Sequence, residues 1–211
     1  MLKNLNGKNR ELLLKVMNLS WKEGRLPHAW KQSTVVAIHK PGKPKEDPNS
    51  YRPISLNSTA CKTMEKIIKR RLTFFLAENQ GIGPEQSGFL QGRCTTDHII
   101  RLQYDIAHSI KNKTATLGVF IDLEKAFDLV WRSGVTLKLH QLGIRGRLLE
   151  WTKNFLDNRT FRVKIGNNFS HERSTENGTP QGSVLSPLLF VILLEVLPKP
   201  PKGIKLSLYA D

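Results

Sequence analysis

A continuous apolar run near the middle of the chain ends at a carboxylate. Residues 116–123 read TLGVFIDL, and only Gly118 interrupts the run before Asp122. Such a run is typical of a strand that is buried on both faces. A carboxylate at the end of a buried strand is costly unless a positive partner compensates its charge, and a divalent cation is the usual partner. The run therefore predicts a buried strand that carries Asp122 to a metal site.

A second aspartate occupies a similar position at the end of the chain. Asp211 follows a predicted strand, Leu206–Ala210. If the two strands lie side by side, both carboxylates reach one pair of metal ions about 4 Å apart, a geometry that suits displacement at phosphorus. For either aspartate alone, the simpler interpretation is a side chain that caps a turn. The residues around the two aspartates decide between a metal site and two turn caps.

The charge of the chain predicts a polyanionic partner. The 33 Lys and Arg residues against 18 acidic ones leave a net charge of +15. Residues 1–75 hold 16 basic and 5 acidic residues, whereas residues 76–211 hold 17 and 13. Each cation placed on a phosphate releases condensed counterions, which favours binding of nucleic acid. The alternatives are a basic surface without a specific partner and a nucleic-acid binder without chemistry.

Periodicity and turn residues predict a chain of mixed helices and strands. Apolar residues at helical spacing alternate with β-branched runs, and Gly and Pro separate them. The predicted helices are Leu5–Trp21 with Asn6 as its cap, Thr59–Glu78, Thr95–Lys111, most of 132–156, and a last helix that ends near Val196. The predicted extended segments are Thr34–His39, Tyr51–Leu56, Ile204–Tyr209 and a hairpin around Gly166 and Asn167.

Several protein classes are excluded at this level. The best candidate for a membrane span, Val184–Leu197, is interrupted by Ser186, Pro187 and Glu195, so we expect no membrane contact. Residues 1–15 are too polar for a signal peptide. Two cysteines without paired spacing fit a reduced intracellular protein.

Three motifs surround the two aspartates in order along the chain. In FIDLEKAFD (120–128) an aromatic residue, Phe127, follows Asp122 by five positions. NGTPQGSVLSP (177–187) is a Gly/Pro turn that opens a helix, where free backbone N–H groups can face a phosphate or a base. The segment Tyr209-Ala210-Asp211 completes the set.

These motifs resemble the palm motifs of reverse transcriptases, in the version found in non-LTR (LINE-type) retrotransposons. The supporting segments are 39–43 (HKPGK), 51–56 (YRPISL) and 86–93 (QSGFLQGR), and the resemblance extends from about Trp21 to Asp211. It implies an α+β fold, the fingers and palm of a right-hand polymerase. In that fold an antiparallel palm sheet flanked by helices carries Asp122 and Asp211 on adjacent strands, and the thumb is missing.

The resemblance also implies a domain organisation. We expect an N-terminal helical extension at 1–20 and mostly fingers at 21–114. Residues 115–211 are expected to form the palm, with an inserted fingers segment near 133–160.

The roles of the site residues follow from the same resemblance. Asp122 and Asp211 would be catalytic and would bind two Mg²⁺ ions, with Mn²⁺ possible. Phe127 would lie under the sugar of the incoming nucleotide and exclude a 2′-hydroxyl. The expected nucleotide ligands are Arg52, Lys40, Lys43, Gln181 and Gly182, and Arg93 is expected on the template backbone. Glu124 and Asp128 are expected to be solvated or capping residues rather than metal ligands.

The resemblance predicts an RNA-directed DNA polymerase that uses an RNA template, a DNA primer and deoxynucleoside triphosphates. We expect it inside the cell, in the cytoplasm, the nucleus or both, as a ribonucleoprotein. The family's last palm motif normally ends in two adjacent aspartates, whereas this sequence ends at the first. We therefore expect a copy truncated within that motif, with weak or no activity. A non-catalytic nucleic-acid-binding remnant of such an element is the alternative.

Overall fold

The computed structural model describes residues 2–198 and 200–209 of the chain. The helices in this part are α1 (Gly7–Glu23), α2 (His28–Lys31), α3 (Thr59–Glu78), α4 (Thr95–Lys111), α5 (Arg132–Gln141), α6 (Gly146–Leu156) and α7 (Ser186–Leu194). The strands are β1 (Gln32–His39), β2 (Tyr51–Leu56), β3 (Arg159–Ile165), β4 (Asn168–Phe169) and β5 (Arg173–Thr175). The mixture of helices and a sheet confirms the predicted α+β class.

Local sequence signals account for most element boundaries. Asn6 caps α1 by accepting a hydrogen bond from the Asn9 amide at 2.9 Å, and the helix ends at Gly24, which has a φ of +65°. The Ser58 hydroxyl accepts a hydrogen bond from the Cys61 amide at the start of α3. Both α3 and α4 have the bounds that periodicity predicts. The predicted hairpin is formed by β3 and β4.

The described sheet is mixed rather than antiparallel. Its strand order is β2-β1-β3-β4, and β5 also pairs with β3. β1 and β2 are antiparallel, with Ile38 opposite Arg52, whereas β1 and β3 are parallel, with Val35 opposite Val163. The parallel pair brings together segments separated by more than 120 residues of sequence.

The hydrophobic core lies among the helices. Helix α5 packs against α6 and α7, and α1 packs against α6. The largest fully buried apolar side chains come from α3, α5, α6, α7 and the segments beside them, namely Ile68, Leu72, Leu139, Ile144, Trp151, Phe155, Leu156, Leu185, Leu188, Leu189 and Ile192.

Two predicted strands are wrong in the part of the chain that the structure describes. Residues 116–123 form no ladder, and Phe120 and Ile121 are 88% and 83% exposed. Residues 204–209 contribute one isolated bridge, between Leu208 and Gln86. An apolar run indicates that a segment favours burial, but a strand also needs a partner backbone, and no described segment supplies one here. Asp122 is therefore not placed on a palm strand, and Asp211 lies outside the described residues.

Candidate functional site

The loop of residues 177–183 is held by two distant segments of the backbone. The amide of Gly178 donates to the carbonyl of Val130 at 2.9 Å, and the amide of Thr179 donates to the carbonyl of Phe127 at 2.8 Å. On the other side, the amide of Ser55 in β2 donates to the carbonyl of Gln181 at 2.7 Å. The 177–183 loop thus joins the segment that carries Phe127 to the strand that carries Arg52.

Two glycines allow these close approaches. Gly178 has a φ of +80°, and a Cβ atom there would lie 2.5 Å from the carbonyl oxygen of Asp128. Gly182 has a φ of +102°, and a Cβ atom there would lie 2.9 Å from the carbonyl oxygen of Ser55. Side chains are disfavoured at both positions by the backbone conformation and by the contact. Gly182 therefore allows the loop backbone to lie against β2, whereas its predicted contact with the nucleotide and the template stays a prediction.

The Gln181 side chain is oriented by Asp128. Its Nε2 donates to Asp128 Oδ1 at 2.9 Å on the surface. Asp128 therefore has a role that the motif did not indicate, and the expectation that it does not bind a metal stays a prediction. It holds the amide of Gln181 beside the Phe127 segment.

The Phe127 ring is half-buried between two other rings. Its centroid lies 6.2 Å from that of Phe89 and 5.5 Å from that of Phe190 in α7. The hydrophobic core therefore supports one side of this ring. Phe89 belongs to one of the segments that carry the family resemblance, so two motifs meet at Phe127.

A buried carboxylate that the sequence prediction missed holds the end of the loop. Glu65 in α3 is fully buried, and its Oε2 accepts hydrogen bonds from Ser183 Oγ at 2.5 Å, the Val184 amide at 2.7 Å and the Leu185 amide at 3.2 Å. Cys61 Sγ lies 3.5 Å from Oε1. Burial and the nearby Glu65 raise the pKa of the Cys61 thiol. The signal in the sequence was an acidic residue on the apolar face of an amphipathic helix.

Two buried arginines, which the sequence prediction also missed, bind backbone carbonyls on the other side of the loop. Arg132 donates to the carbonyls of Gly178, Thr175 and Asn177 at 2.7–2.9 Å. Arg159 donates to the carbonyl of Phe155 at 3.1 Å. Burial lowers the pKa of both guanidinium groups. Arg132 thus serves as a clamp on the backbone that leads into the loop.

A cavity of about 260 Å³ lies between the loop and the sheet. Its wall includes Ser55 of β2, Thr160 of β3, and Thr179 and Gln181 of the loop. Within the described residues, the Thr160 and Thr179 hydroxyls have no hydrogen-bond partner. A group that enters this cavity therefore contacts the loop and the sheet together.

The predicted phosphate-binding cations lie on or beside the β1–β2 hairpin. Arg52 is exposed on β2, three residues before Ser55, which is about 10 Å along a strand. Lys40 Nζ donates to the carbonyl of Asn49 at 2.9 Å, and Lys43 is exposed in the connecting loop. Arg52 is therefore on the strand that binds the 177–183 loop, whereas Lys43 is on the loop at the end of the hairpin.

Arg93 binds its own neighbourhood. Its Nη1 donates to the carbonyl of Gly83 at 2.9 Å and to the carbonyl of Gln86. These contacts hold the turn at 83–86, although the side chain remains exposed. Its predicted contact with the template backbone stays a prediction.

The predicted metal ligands are not brought together in the described residues. Asp122 is exposed, and Asp211 lies outside the described part. Carboxylate oxygens suit Mg²⁺, so Asp122 fits the predicted ion by its chemistry. Residues 2–198 and 200–209 contain no group of three or more His, Cys, Asp and Glu side chains that could hold a metal. Glu124 is exposed and pairs with Lys125 at 3.6 Å.

Among the helices that the structure describes, none is long and apolar enough to cross a membrane.

Comparison with known proteins identifies the family of this chain. The probable RNA-directed DNA polymerase from transposon BS of Drosophila melanogaster is 38% identical over 192 residues, which cover 88% of this chain and 21% of that protein. The probable RNA-directed DNA polymerase from the X-element of the same species is 38% identical over 175 residues, covering 82% and 19%. The polymerase from its mobile element jockey is 34% identical over 188 residues, covering 89% and 20%.

The chain spans about a fifth of the length of these curated relatives. The sequence pattern of the family described as reverse transcriptase (RNA-dependent DNA polymerase) matches residues 38–211. This range includes Arg52, Phe127 and the 177–183 loop, and it confirms the resemblance that the three motifs predicted. The chain therefore belongs to the reverse transcriptase family.

Proposed function

We propose that this chain forms the nucleotide-binding and catalytic part of an RNA-directed DNA polymerase from a non-LTR retrotransposon. The observation that carries the proposal is the pair of backbone contacts that join the 177–183 loop to Phe127 and to β2. The family match and the names of the relatives, which come from transposons and mobile elements, support it. The reaction is attack of a DNA primer hydroxyl on the α-phosphate of a deoxynucleoside triphosphate, directed by an RNA template.

Phe127 would select the sugar. A rigid ring at the edge of the core cannot move aside easily, because Phe89 and Phe190 support it. A ring in this position would occupy the space that a 2′-hydroxyl needs. Deoxynucleotides are then selected by steric exclusion.

The triphosphate and the template would be held by residues around Phe127. Arg52, assisted by Lys40 or Lys43, would bind phosphate oxygens, since a planar guanidinium can bind them in pairs. Gln181 and the backbone at Gly182 would contact the nucleotide and the template. Arg93 would contact the template backbone near the turn at 83–86.

Asp122 and Asp211 are proposed to hold two Mg²⁺ ions, or Mn²⁺, which when bound supply the positive charge that activates the primer hydroxyl and stabilises the leaving pyrophosphate. Residues 21–114 would then be mostly fingers and residues 115–211 mostly palm, with residues 1–20 as an extension. The protein would act inside the cell as a ribonucleoprotein with its template RNA.

Primer extension tests this function. A DNA primer on an RNA template is incubated with the 211-residue chain and with the longest open reading frame that continues its coding sequence. We expect Mg²⁺-dependent extension with deoxynucleotides by the longer polypeptide and weak or no extension by the 211 residues. In the longer polypeptide, Asp122→Asn should abolish synthesis while RNA binding, measured by filter retention, stays close to that of the unmodified polypeptide.

Glu124→Gln is the matched control, since Glu124 is exposed two residues from Asp122 and pairs only with Lys125 among the described residues. It should leave extension unchanged. Loss of RNA binding and synthesis together in Asp122→Asn would mean that Asp122 is structural, which would contradict its catalytic assignment.

A non-catalytic nucleic-acid-binding remnant is the second candidate, because residues 1–75 alone carry 16 basic against 5 acidic residues. It predicts salt-sensitive RNA binding with no extension by any polypeptide that contains this chain. A stop codon directly after the codon for Asp211 in genomic DNA would favour the remnant. A second aspartate codon in an open frame would favour the polymerase.

A further inference from the structure

The outer face of α3 carries four basic side chains in line. Lys66 lies four residues after Lys62, and Lys69 and Arg70 lie three and four residues after Lys66, so the four share one side of the helix over about 12 Å. We call these four residues the α3 basic face. The buried residues of α3, Cys61, Met64, Glu65, Ile68, Leu72 and Leu76, point elsewhere.

These four cations have no partner of opposite charge in the described part of the chain. The ion pairs of residues 2–198 and 200–209 involve Lys15, Lys125, Arg162 and Lys205, and none involves the α3 basic face. Four unneutralised charges on one helical face repel each other, because like charges at i and i+4 destabilise a helix. This repulsion decreases when a polyanion binds to the helix.

An exposed aromatic ring stands beside this face. Phe74 lies one helical turn after Arg70, and 69% of its surface is exposed. Proteins that bind single-stranded nucleic acid combine a basic track for the phosphates with aromatic rings on which bases stack. A duplex hides the faces of its bases, so Phe74 favours a single strand.

The α3 basic face lies next to the proposed nucleotide site. Lys62 and Lys69 are three residues before and four residues after Glu65, which makes them its neighbours on the helix surface. Glu65 accepts hydrogen bonds from Ser183 and the backbone that follows it. The α3 basic face therefore begins where α3 contacts the end of the 177–183 loop.

We propose that the α3 basic face and Phe74 bind the phosphates and one base of the single-stranded RNA template beside the 177–183 loop. The choice of RNA rests on the proposed function. The binding surface itself rests on the charges, the exposed ring and the contact of α3 with the loop.

Salt-dependent binding of an unstructured RNA tests the proposal. Fluorescein-labelled oligouridylate is titrated with the 211-residue chain by anisotropy at a series of KCl concentrations. In one variant Lys62, Lys66, Lys69 and Arg70 are all replaced by Gln. Each lost phosphate contact lowers the slope of log K against log salt by about 0.7 for a single strand, so we expect the slope to fall by about 3.

The control removes the same charge elsewhere, by replacing Lys8, Lys111, Lys113 and Lys202, all exposed, with Gln. It should keep a slope close to that of the unmodified chain. Circular dichroism should show the same helix content in both variants. An equal change of slope in the two variants would mean that only net charge matters, and the proposal would be wrong.

Phe74→Leu separates stacking from charge. It should weaken oligouridylate binding about tenfold, the effect of one lost base stack, with the salt slope unchanged. Duplex RNA should be insensitive to this substitution. Undiminished oligouridylate affinity in Phe74→Leu would overturn the stacking contact, and tighter binding of oligothymidylate than of oligouridylate by the unmodified chain would overturn the assignment to RNA.

The RNA-binding measurements and the primer-extension assay test separate claims. If primer extension by the longer polypeptide fails while the slope falls as expected, the surface stands and the polymerase assignment fails. If primer extension succeeds while the variant of the α3 basic face binds like the unmodified chain, the surface fails alone.

Discussion

The proposed nucleotide loop is positioned by single polar side chains in the interior. Glu65 satisfies three donors at its end, and Arg132 binds three carbonyls at its beginning. Charged groups bind backbone donors and acceptors about twice as strongly as neutral groups do. Because each side chain is buried, its hydrogen bonds cannot be replaced by water without a conformational change. The conformation of residues 175–185 therefore depends on these two residues.

Substitution of Glu65 by Gln should loosen the end of the loop. An amide presents a donor where the carboxylate accepts from Ser183 and two backbone amides, so the free energy of unfolding should fall by about 1–3 kcal/mol. Urea unfolding measures this loss. Hydrogen exchange of the Val184 and Leu185 amides should accelerate in the native state.

Glu78→Gln provides the comparison, since Glu78 is exposed at the end of the same helix. It should change the free energy of unfolding by less than about 0.5 kcal/mol. Equal stability of the two variants would show that the Glu65 contacts contribute nothing to the loop.

At the level of elements, α3 and α4 are both amphipathic, but only α3 is buried. Six residues of α3 are buried, whereas α4 has none. The apolar side of α4 is exposed along its length, at Ile99, Ile100, Leu102, Tyr104, Ile106 and Ile110. Residues 117–121 expose further apolar side chains. Both segments have an amphipathic pattern and both are helices, but only α3 gains stability from packing against the core.

Helix α4 should open more readily than α3. Local stability depends on buried apolar contacts, which α4 lacks within the described chain. In hydrogen exchange of the 211-residue chain followed by mass spectrometry, peptides from Thr95–Lys111 should exchange at least about tenfold faster than peptides from Thr59–Glu78. Similar protection in both helices would mean that α4 is covered in solution, and dilution then tests whether a second copy covers it.

At the level of the whole molecule, long-range contacts connect the N-terminal residues to the centre of the chain. Trp151 in α6 is fully buried, and its Nε1 donates to Ser20 Oγ in α1 at 3.0 Å. The Leu26 amide donates to Asn154 Oδ1 at 2.9 Å. The parallel pairing of β1 with β3 joins the same regions. Helix α1 is therefore packed onto the core of the chain.

Removal of the Ser20 hydroxyl should destabilise the chain as a whole. Ser20→Ala leaves the buried Trp151 indole without its acceptor, which costs about 1–3 kcal/mol. Urea unfolding followed by tryptophan emission and by circular dichroism should shift to lower urea by the same amount with both probes. Ser133→Ala, at an exposed serine of α5, should leave the curve in place. A shift seen only by circular dichroism would mean that α1 unfolds separately.

Local interactions made a large part of this protein predictable from its sequence. These predictable features are the bounds of α3 and α4, the Asn6 cap and the β3–β4 hairpin, and each depends on residues within a few positions of one another. The order and spacing of the motifs were enough to identify the family. These features follow from short-range sterics and hydrogen bonding, which a sequence displays directly.

Tertiary structure alone decided the rest. The backbone hydrogen-bond partners of the Glu65 and Arg132 side chains could not be predicted from sequence, because they lie more than 40 residues away. The apolar run at 116–123 predicts a strand, but a strand exists only where a second backbone accepts and donates its hydrogen bonds. The sequence by itself determined the longer helices, the family and the candidate residues. The three-dimensional arrangement determined which of those residues meet, because a polar contact in the interior requires both partners at once.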